Sequence, residues 1–265
     1  MAQFQYAQKQ DYAALSALWR ICFGDSEADI EAFWRIAEPT VFLAKEQGRT
    51  VAMLCALSAP LIDSCGDALP AAYLYAVCTA PEFRGRGLCS GLLACAEKEL
   101  KKSAAFAVLV PSGEKLFDFY RKLGYKTAFY HQKYRINASG SAKIAKLDID
   151  GYRNLREMQL YGDFLSYDAP LLQWQKYLSE NSGAGLYRIE TAQEICCAAA
   201  EKYGDTLIIK ELLPDCPEAA AALAFRLHCS NAEVRTNAMQ QPFGMIKALS
   251  DTPVPEQAYL GLAFD

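Results

Sequence analysis

The sequence predicts an α/β fold. Segments whose apolar residues recur at three- and four-residue spacing alternate with short apolar runs rich in Val, Ile, Tyr and Phe, and glycine- or proline-containing turns separate the two kinds. The 265 residues suffice for one large domain or two smaller ones with a buried core. A composition of 52% hydrophobic and 22% charged residues excludes disordered, collagen-like and coiled-coil classes.

Tyr12, Leu15, Leu18, Trp19 and Cys22 mark an amphipathic helix, and a second covers residues 26–36. Residues 40–44 and 51–59 read as strands, joined through the polar turn Glu46-Gln47-Gly48-Arg49. The run 71–79 reads as a central strand. A helix begins near Gly87, with Leu88, Leu92, Leu93 and Ala96 on its apolar face. Residues 104–110 form a short buried strand, 114–123 a short helix closed by Gly124, and 125–136 a strand pair or one long bent strand.

Residues 137–141, with Ala-Ser-Gly-Ser at their centre, are the most linker-like stretch. The charge balance also changes there, from +2 over residues 1–137 to −6 over 138–265. Domains are therefore expected at 1–136 and 137–265. In the second half, 151–161, 169–180 and 218–229 read as helices, and 186–190, 206–213, 234–236, 243–249 and 258–264 as strands. Residues 194–202 fit either pattern.

No apolar run approaches the roughly 20 residues needed to cross a bilayer. The first residues lack the basic segment, apolar stretch and cleavage site of a signal peptide, so a cytoplasmic protein away from the membrane is expected. Ten cysteines include no C-x-x-C pair and mostly lie in apolar runs, which reads as buried free thiols. With only His131 and His228, histidine-based metal sites and Ser-His-Asp sites lack material, and no metal is expected. A net charge of −4 argues against a nucleic-acid partner and suits a cationic small molecule or a peptide amine.

One segment carries chemistry: Val77-Cys78-Thr79-Ala80-Pro81-Glu82-Phe83-Arg84-Gly85-Arg86-Gly87-Leu88-Cys89-Ser90-Gly91. A strand ends in a loop with two glycines and two arginines that runs straight into a helix. Such a junction turns backbone N–H groups and the positive helix end toward one point, where a diphosphate fits. Gly85 and Gly87 allow a tight turn and close approach, while Arg84 and Arg86 supply charge. The plain alternative is a solvated Arg-Gly turn that caps a helix. A dinucleotide fingerprint over Gly85, Gly87 and Ser90 is disfavoured by Pro81, the arginines and the missing third glycine.

This segment resembles motif A of the GNAT (general N-acetyltransferase) superfamily, with Val77, Pro81, Arg84 and Gly87 on the pattern and Cys89 where Gly or Ala is usual. Downstream, Leu116-Phe117-Asp118-Phe119-Tyr120-Arg121-Lys122-Leu123-Gly124-Tyr125 is similar to motif B, which ends Tyr-x-x-x-Gly-Phe/Tyr. The Gly87-Leu88-Cys89 ending resembles the Eis-type branch, in which an active domain precedes a degenerate one. The resemblance implies a mixed sheet with helices on both faces, in two GNAT-like domains in tandem. The second is expected to have lost cofactor binding, since Leu213-Pro214-Asp215-Cys216-Pro217 stands where the loop would recur.

It further implies transfer of an acetyl group from acetyl-CoA, as co-substrate, directly to a primary amine of a small molecule or peptide. Main-chain groups of Val77, Cys78 and Thr79 would hold the pantetheine arm. Arg84, Gly85, Arg86, Gly87, Leu88, Cys89 and Ser90 would hold the diphosphate. Tyr120 takes the place of the general acid, although a phenol's ordinary pKa of about 10 exceeds that of a thiol and a packed core tyrosine is the alternative. Strand 71–79 carries no carboxylate base, with Tyr75 near that place; the Eis-type resemblance implies the C-terminal carboxylate, on Asp265. Asp25, Glu27, Asp29 and Glu31 are candidates for steering a cation, or a solvated helix face. Cys78 and Cys89 read as inert thiols. The sequence leaves room for a homo-oligomer. Two rival readings are a non-catalytic CoA-responsive binding module and a tandem-GNAT aminoacyl transferase, the latter disfavoured by the lack of a basic face.

Overall fold

In the computed structural model, which describes residues 2–264, the chain begins with β1 (Gln3–Tyr6), α1 (Tyr12–Phe23), α2 (Glu27–Ile36), β2 (Thr40–Glu46), β3 (Arg49–Ser58), β4 (Leu61–Ile62), β5 (Ala68–Leu69), β6 (Ala71–Thr79), α3 (Leu88–Leu100), β7 (Phe106–Leu109) and α4 (Glu114–Lys122). There follow β8 (Lys126–Asn137), β9 (Lys143–Lys146), α5 (Ile149–Met158), β10 (Phe164–Leu165), α6 (Ala169–Asn181), β11 (Gly185–Glu190), β12 (Ile195–Tyr203), β13 (Thr206–Leu213), α7 (Pro217–Arg226) and β14 (Asn231–Ala248). They form two compact units. One takes the residues up to Pro60, Ala68–Lys126 and Met245–Val254; the other takes Leu61–Asp67, Thr127–Gly244 and the chain from Pro255. The linker-like stretch 137–141 lies inside the second unit, where the N–H groups of Ala138 and Ser139 donate to the carbonyls of Ser230 and Ala221.

The first unit is a mixed sheet in the order β1, β2, β3, β6, β7, completed beside β7 by Met245–Ala248 of β14. Its neighbours are antiparallel, except for β6 and β7, which run parallel and have α3 between them in sequence. Strand alternation divides the apolar side chains between two faces. Phe42, Ala44, Leu54, Ala72, Leu74, Ala107 and Leu109 meet Leu88, Leu92 and Leu93 of α3 and Tyr120 of α4. On the other face Tyr75 packs against Trp19 of α1 and Phe33 of α2, with ring centroids 5.9 and 5.4 Å apart. Each large side chain so buried contributes about 1.5–3 kcal/mol.

Local signals set the helix ends. Ser26 accepts the N–H of Asp29 at the start of α2, and Gly24, left-handed at φ 84°, ends α1. Ahead of α1, Asp11 accepts the N–H of Gln8 at 2.8 Å and Lys45 Nζ at 2.6 Å. The bond to Lys45, then that to Gln8, holds the Asp11 carboxyl below its ordinary pKa. A pKa lowered by folding adds stability that is present above the unfolded value of about 3.9 and is lost as pH falls through the folded value. Lys45→Met should therefore lower the urea midpoint at pH 7, and the gap to the wild type should close as the pH drops below the carboxylate range. A gap independent of pH would assign the effect to packing instead.

The second unit repeats part of this plan. Its sheet runs β9, β11, β12, β13, β14, with β8 also on β14. β12 and β13 are antiparallel, α7 follows, and β13 pairs in parallel with β14 over Thr206–Ile209 and Asn231–Val234. The order matches β3, β6, α3 and β7, and both copies carry a β-bulge. Lys210 is the extra residue on β13, just as Ala76 and Val77 together face Leu54 on β6. This is the mixed sheet in two units that the resemblance implies.

Several elements differ from expectation, each for a local reason. The ambiguous 194–202 is strand, because Cys196 to Ala200 are fully buried between β11 and β13 and their small side chains carry no period to read. The two strands expected at 234–236 and 243–249 are one, β14. The helix expected at 151–161 starts at Ile149 because Asp148 caps it, accepting the N–H of Gly151 at 2.8 Å. Residues 258–264 form no strand beyond isolated bridges at Ala258 and Tyr259. There the carbonyl of Leu260 is taken by side chains, Arg156 Nη2 at 3.1 Å and the Tyr167 hydroxyl, and Gly261 (φ 79°) and Phe264 (φ 58°) leave the extended region. β1, β4, β5, β9 and β10 are too short to show a period.

Candidate active site

The site grows from the bulge in β6. Ala76 takes φ 50°, left-handed for a residue with a side chain, and the ladder to β3 slips by one residue there. The slip reverses which alternate side chains face α3. Ala72 and Leu74 face it before the bulge, and Val77 packs against the same cluster after it. Cys78 is thereby turned to the α1 face, where its thiol neighbours Cys22, whose Sγ donates to the carbonyl of Thr79 at 3.7 Å. The parallel ladder between β6 and β7 stops at Tyr73 and Val108, so the last residues of β6 extend beyond it. Thr79 closes the strand with a buried hydroxyl that has no hydrogen-bond partner among the described residues.

The loop is held by its own main chain. Pro81–Phe83 form a short 3₁₀ turn, Phe83 N–H donates to Ala80, and Arg84 Nε donates to the carbonyl of Thr79 at 3.1 Å. Gly85 and Gly87 adopt φ 76° and 77°. A Cβ at either would meet nothing within 4 Å, so conformation and not crowding requires glycine. Gly87 caps α3 without a side chain, which leaves the positive end of a 13-residue helix open to an anion.

The two arginines differ. Arg84 ties the loop to the end of β6, whereas Arg86 is half-exposed, pairs with Glu46 at 2.9 Å and lies 5.3 Å from the ring of Phe83. Arg49 flanks the same ring at 5.5 Å and pairs with Glu82. Such exposed pairs are worth about 0–1 kcal/mol, weak enough for a guanidinium to exchange its carboxylate for a phosphate.

Of the expected site residues, Val77, Leu88, Cys89 and Tyr120 gather around one cluster. Tyr120 packs edge-on to Tyr125, with ring centroids 5.7 Å apart. Burial, and then the neighbouring Cys89, push its phenol pKa up, so the hydroxyl stays protonated as a donor. Burial pushes Cys89 up to about 11, and the bond to Cys22 together with burial pushes Cys78 up, so neither is a ready nucleophile. Tyr75 belongs to the aromatic layer over α1 and α2. Asp265 lies outside the described residues. Three of the four acidic candidates have partners: Asp25 accepts Trp19 Nε1 at 2.7 Å, Asp29 bonds Ser26, and Glu27 lies 4.0 Å from Arg20 on the surface.

Sequence reasoning missed Cys22, Glu46 and Arg49. No local pattern marks them; the fold alone brings them to the loop. Not all cysteines are buried as expected: Cys65 is exposed, and Cys22, Cys89 and Cys95 are half-buried. A separate open groove of about 500 Å³, lined by residues including Asp11, Leu18, Ile21, Lys45, Arg49 and Glu82, borders the loop but not its glycines. Among the described residues, no cluster of three or more His, Cys, Asp or Glu could hold a metal, and no helix is long and apolar enough to cross a membrane.

Comparison with known proteins bears on this geometry. Residues 3–128 match the family model described as an acetyltransferase (GNAT) domain. No curated protein matches the chain. Among solved structures, a GCN5-related N-acetyltransferase from Anabaena variabilis ATCC 29413 superposes with a TM-score of 0.73 at 17% identity, over 94% of this chain and 73% of that one. One from Kribbella flavida gives 0.69 at 14% identity, over 93% and 70%. Eis1 from Mycobacterium abscessus gives 0.67 at 14% identity, over 94% and 74%. Residues 3–128, just under half of the chain, thus match an acetyltransferase (GNAT) domain, and most of the chain shares its fold with the solved N-acetyltransferases and with Eis1.

Proposed function

We propose that the chain moves the acetyl group of acetyl-CoA directly onto a primary amine of a small molecule or peptide, acting in the cytoplasm. The observation that carries the reading is the junction of β6 and α3. The strand beyond the ladder, the left-handed glycines and the open helix end supply donors for a pantetheine arm and a diphosphate along one continuous stretch of backbone. Val77, Cys78 and Thr79 hold the arm; Arg84, Gly85, Arg86, Gly87, Leu88, Cys89 and Ser90 form the diphosphate cradle. Arg84 acts by fixing the loop to Thr79.

Tyr120, kept protonated by burial, donates to the departing thiolate. A phenol whose pKa is pushed up transfers its proton less readily, so we assign it stabilisation of the sulfur more than full proton transfer. The second unit does not bind the cofactor: Asp215 lies at the start of α7 and accepts the Tyr134 hydroxyl at 2.8 Å, putting a carboxylate where a diphosphate would need cations.

Release of free thiol from acetyl-CoA, followed with a panel of polyamines, aminoglycosides and peptides, tests the reading. Turnover should appear with an amine and be absent without one. Tyr120→Phe should lower kcat by about 10²-fold with the KM for acetyl-CoA unchanged. Binding of acetyl-CoA with no thiol released by any amine would point to a non-catalytic CoA-responsive module.

A further inference from the structure

Cys22, near the end of α1, is half-buried, and its Sγ donates to the carbonyl of Thr79 across 3.7 Å. Arg84 Nε donates to the same oxygen. The bulge turns Cys78, the residue before Thr79, to this same face, so its thiol neighbours that of Cys22 from the strand side. One reachable thiol and one buried thiol therefore touch across two elements, beside a guanidinium. That is the arrangement of an attacking and a resolving cysteine.

We propose that Cys22 and Cys78 form an oxidisable pair whose disulfide ties the end of β6 to α1. The bond from Cys78, and then Arg84, hold the Cys22 thiol down at about 7 against burial and the charge of Glu82. A thiolate is thus present at neutral pH. The buried Cys78 is held protonated, with Cys22, Cys55 and Cys89 as its neighbours.

With a peroxide as oxidant, the Cys22 thiolate attacks one oxygen, the O–O bond breaks, and hydroxide leaves to give a sulfenic acid. That hydroxide takes the Cys78 proton and becomes water; the Cys78 thiolate attacks the Cys22 sulfur, the S–O bond breaks, and the second hydroxide leaves, to be protonated to water by the proton that Cys22 had given up. Two thiols have lost two electrons, and one peroxide has become two waters. An S–S bond of about 2.05 Å is far shorter than a thiol contact, so its formation draws Cys78 and Thr79 toward α1. Thr79 anchors Arg84, so oxidation loosens the loop. This consequence, unlike the disulfide itself, rests on the acetyl-CoA reading above.

The test is titration of the full chain with hydrogen peroxide, digestion without reductant, and mass spectrometry. A peptide pair joining Cys22 to Cys78 within one chain is expected. Cys22→Ser should abolish it, and Cys78→Ala should leave Cys22 as a sulfenic acid that dimedone traps. Cys22 staying reduced, or bridging instead to Cys55, Cys65 or a second chain, would overturn the pair. Oxidised protein should show a smaller acetyl-CoA-induced rise in Tm, restored by dithiothreitol; an equal rise overturns the loosening. Should reduced protein show no rise at all, the acetyl-CoA reading fails while the cross-link still reports on the dithiol.

Discussion

Gly87→Val is expected to abolish the rise in Tm that acetyl-CoA gives the wild-type protein. Gly87 sits at φ 77° and ψ 5° with open space around it, so valine meets no clash and pays only in backbone conformation. A left-handed residue with a Cβ costs about 1–2 kcal/mol, and a β-branched one lies at the upper end. Valine therefore leaves that region, and the first N–H groups of α3 swing away from the point on which the Gly85-to-Ser90 backbone converges. At a ligand concentration of 100 times Kd the wild type should gain about 2.7 kcal/mol, and the variant none. Because Gly87 is a surface turn, the variant should still fold, with its own Tm lowered only modestly. A full acetyl-CoA shift retained in Gly87→Val would remove the diphosphate from this loop.

Arg156→Met should produce the largest loss of stability, about 3–5 kcal/mol. Arg156 and Glu211 are 1% and 0% exposed. The guanidinium meets Glu211 Oε2 at 2.9 Å, the Leu165 carbonyl at 2.8 Å and the Leu260 carbonyl at 3.1 Å, and it lies 4.7 Å from the ring of Tyr167. Methionine nearly fills the space but leaves the Glu211 carboxylate without a counter-charge, with only the hydroxyls of Tyr152 and Tyr259 beside it among the described residues. It also takes the Arg156 donor from the Leu165 carbonyl, while the Leu260 carbonyl keeps the Tyr167 hydroxyl. The double variant Arg156→Met/Glu211→Leu should recover a large part of the loss, since no buried charge then lacks a partner. Urea unfolding of the three variants measures this; equal losses in single and double variants would show that shape, not charge, holds the site.

The Arg-Gly loop is legible because its requirements are local: φ values at Gly85 and Gly87 that only glycine adopts cheaply, and a helix that starts at the next residue. Long helices were legible because burying one face imposes a period on the sequence, as at Leu15, Leu18 and Trp19. β12 was ambiguous because a strand buried on both faces has no period. The segment 258–264 was misread because its apolar residues are buried by a side-chain network, which an apolar run does not announce.

By itself, the sequence determined the α/β class, the long amphipathic helices and the Arg-Gly loop that runs into a helix, since each follows from residue type and near-neighbour spacing. The tertiary structure alone decided which face Cys78 presents, that Cys22 and Tyr120 meet the loop, and that Arg86 and Arg49 flank Phe83. Those facts depend on a one-residue slip in a ladder and on contacts between residues dozens of positions apart. No spacing rule reports them, because the free energy that fixes them lies in packing between elements and not within any one of them.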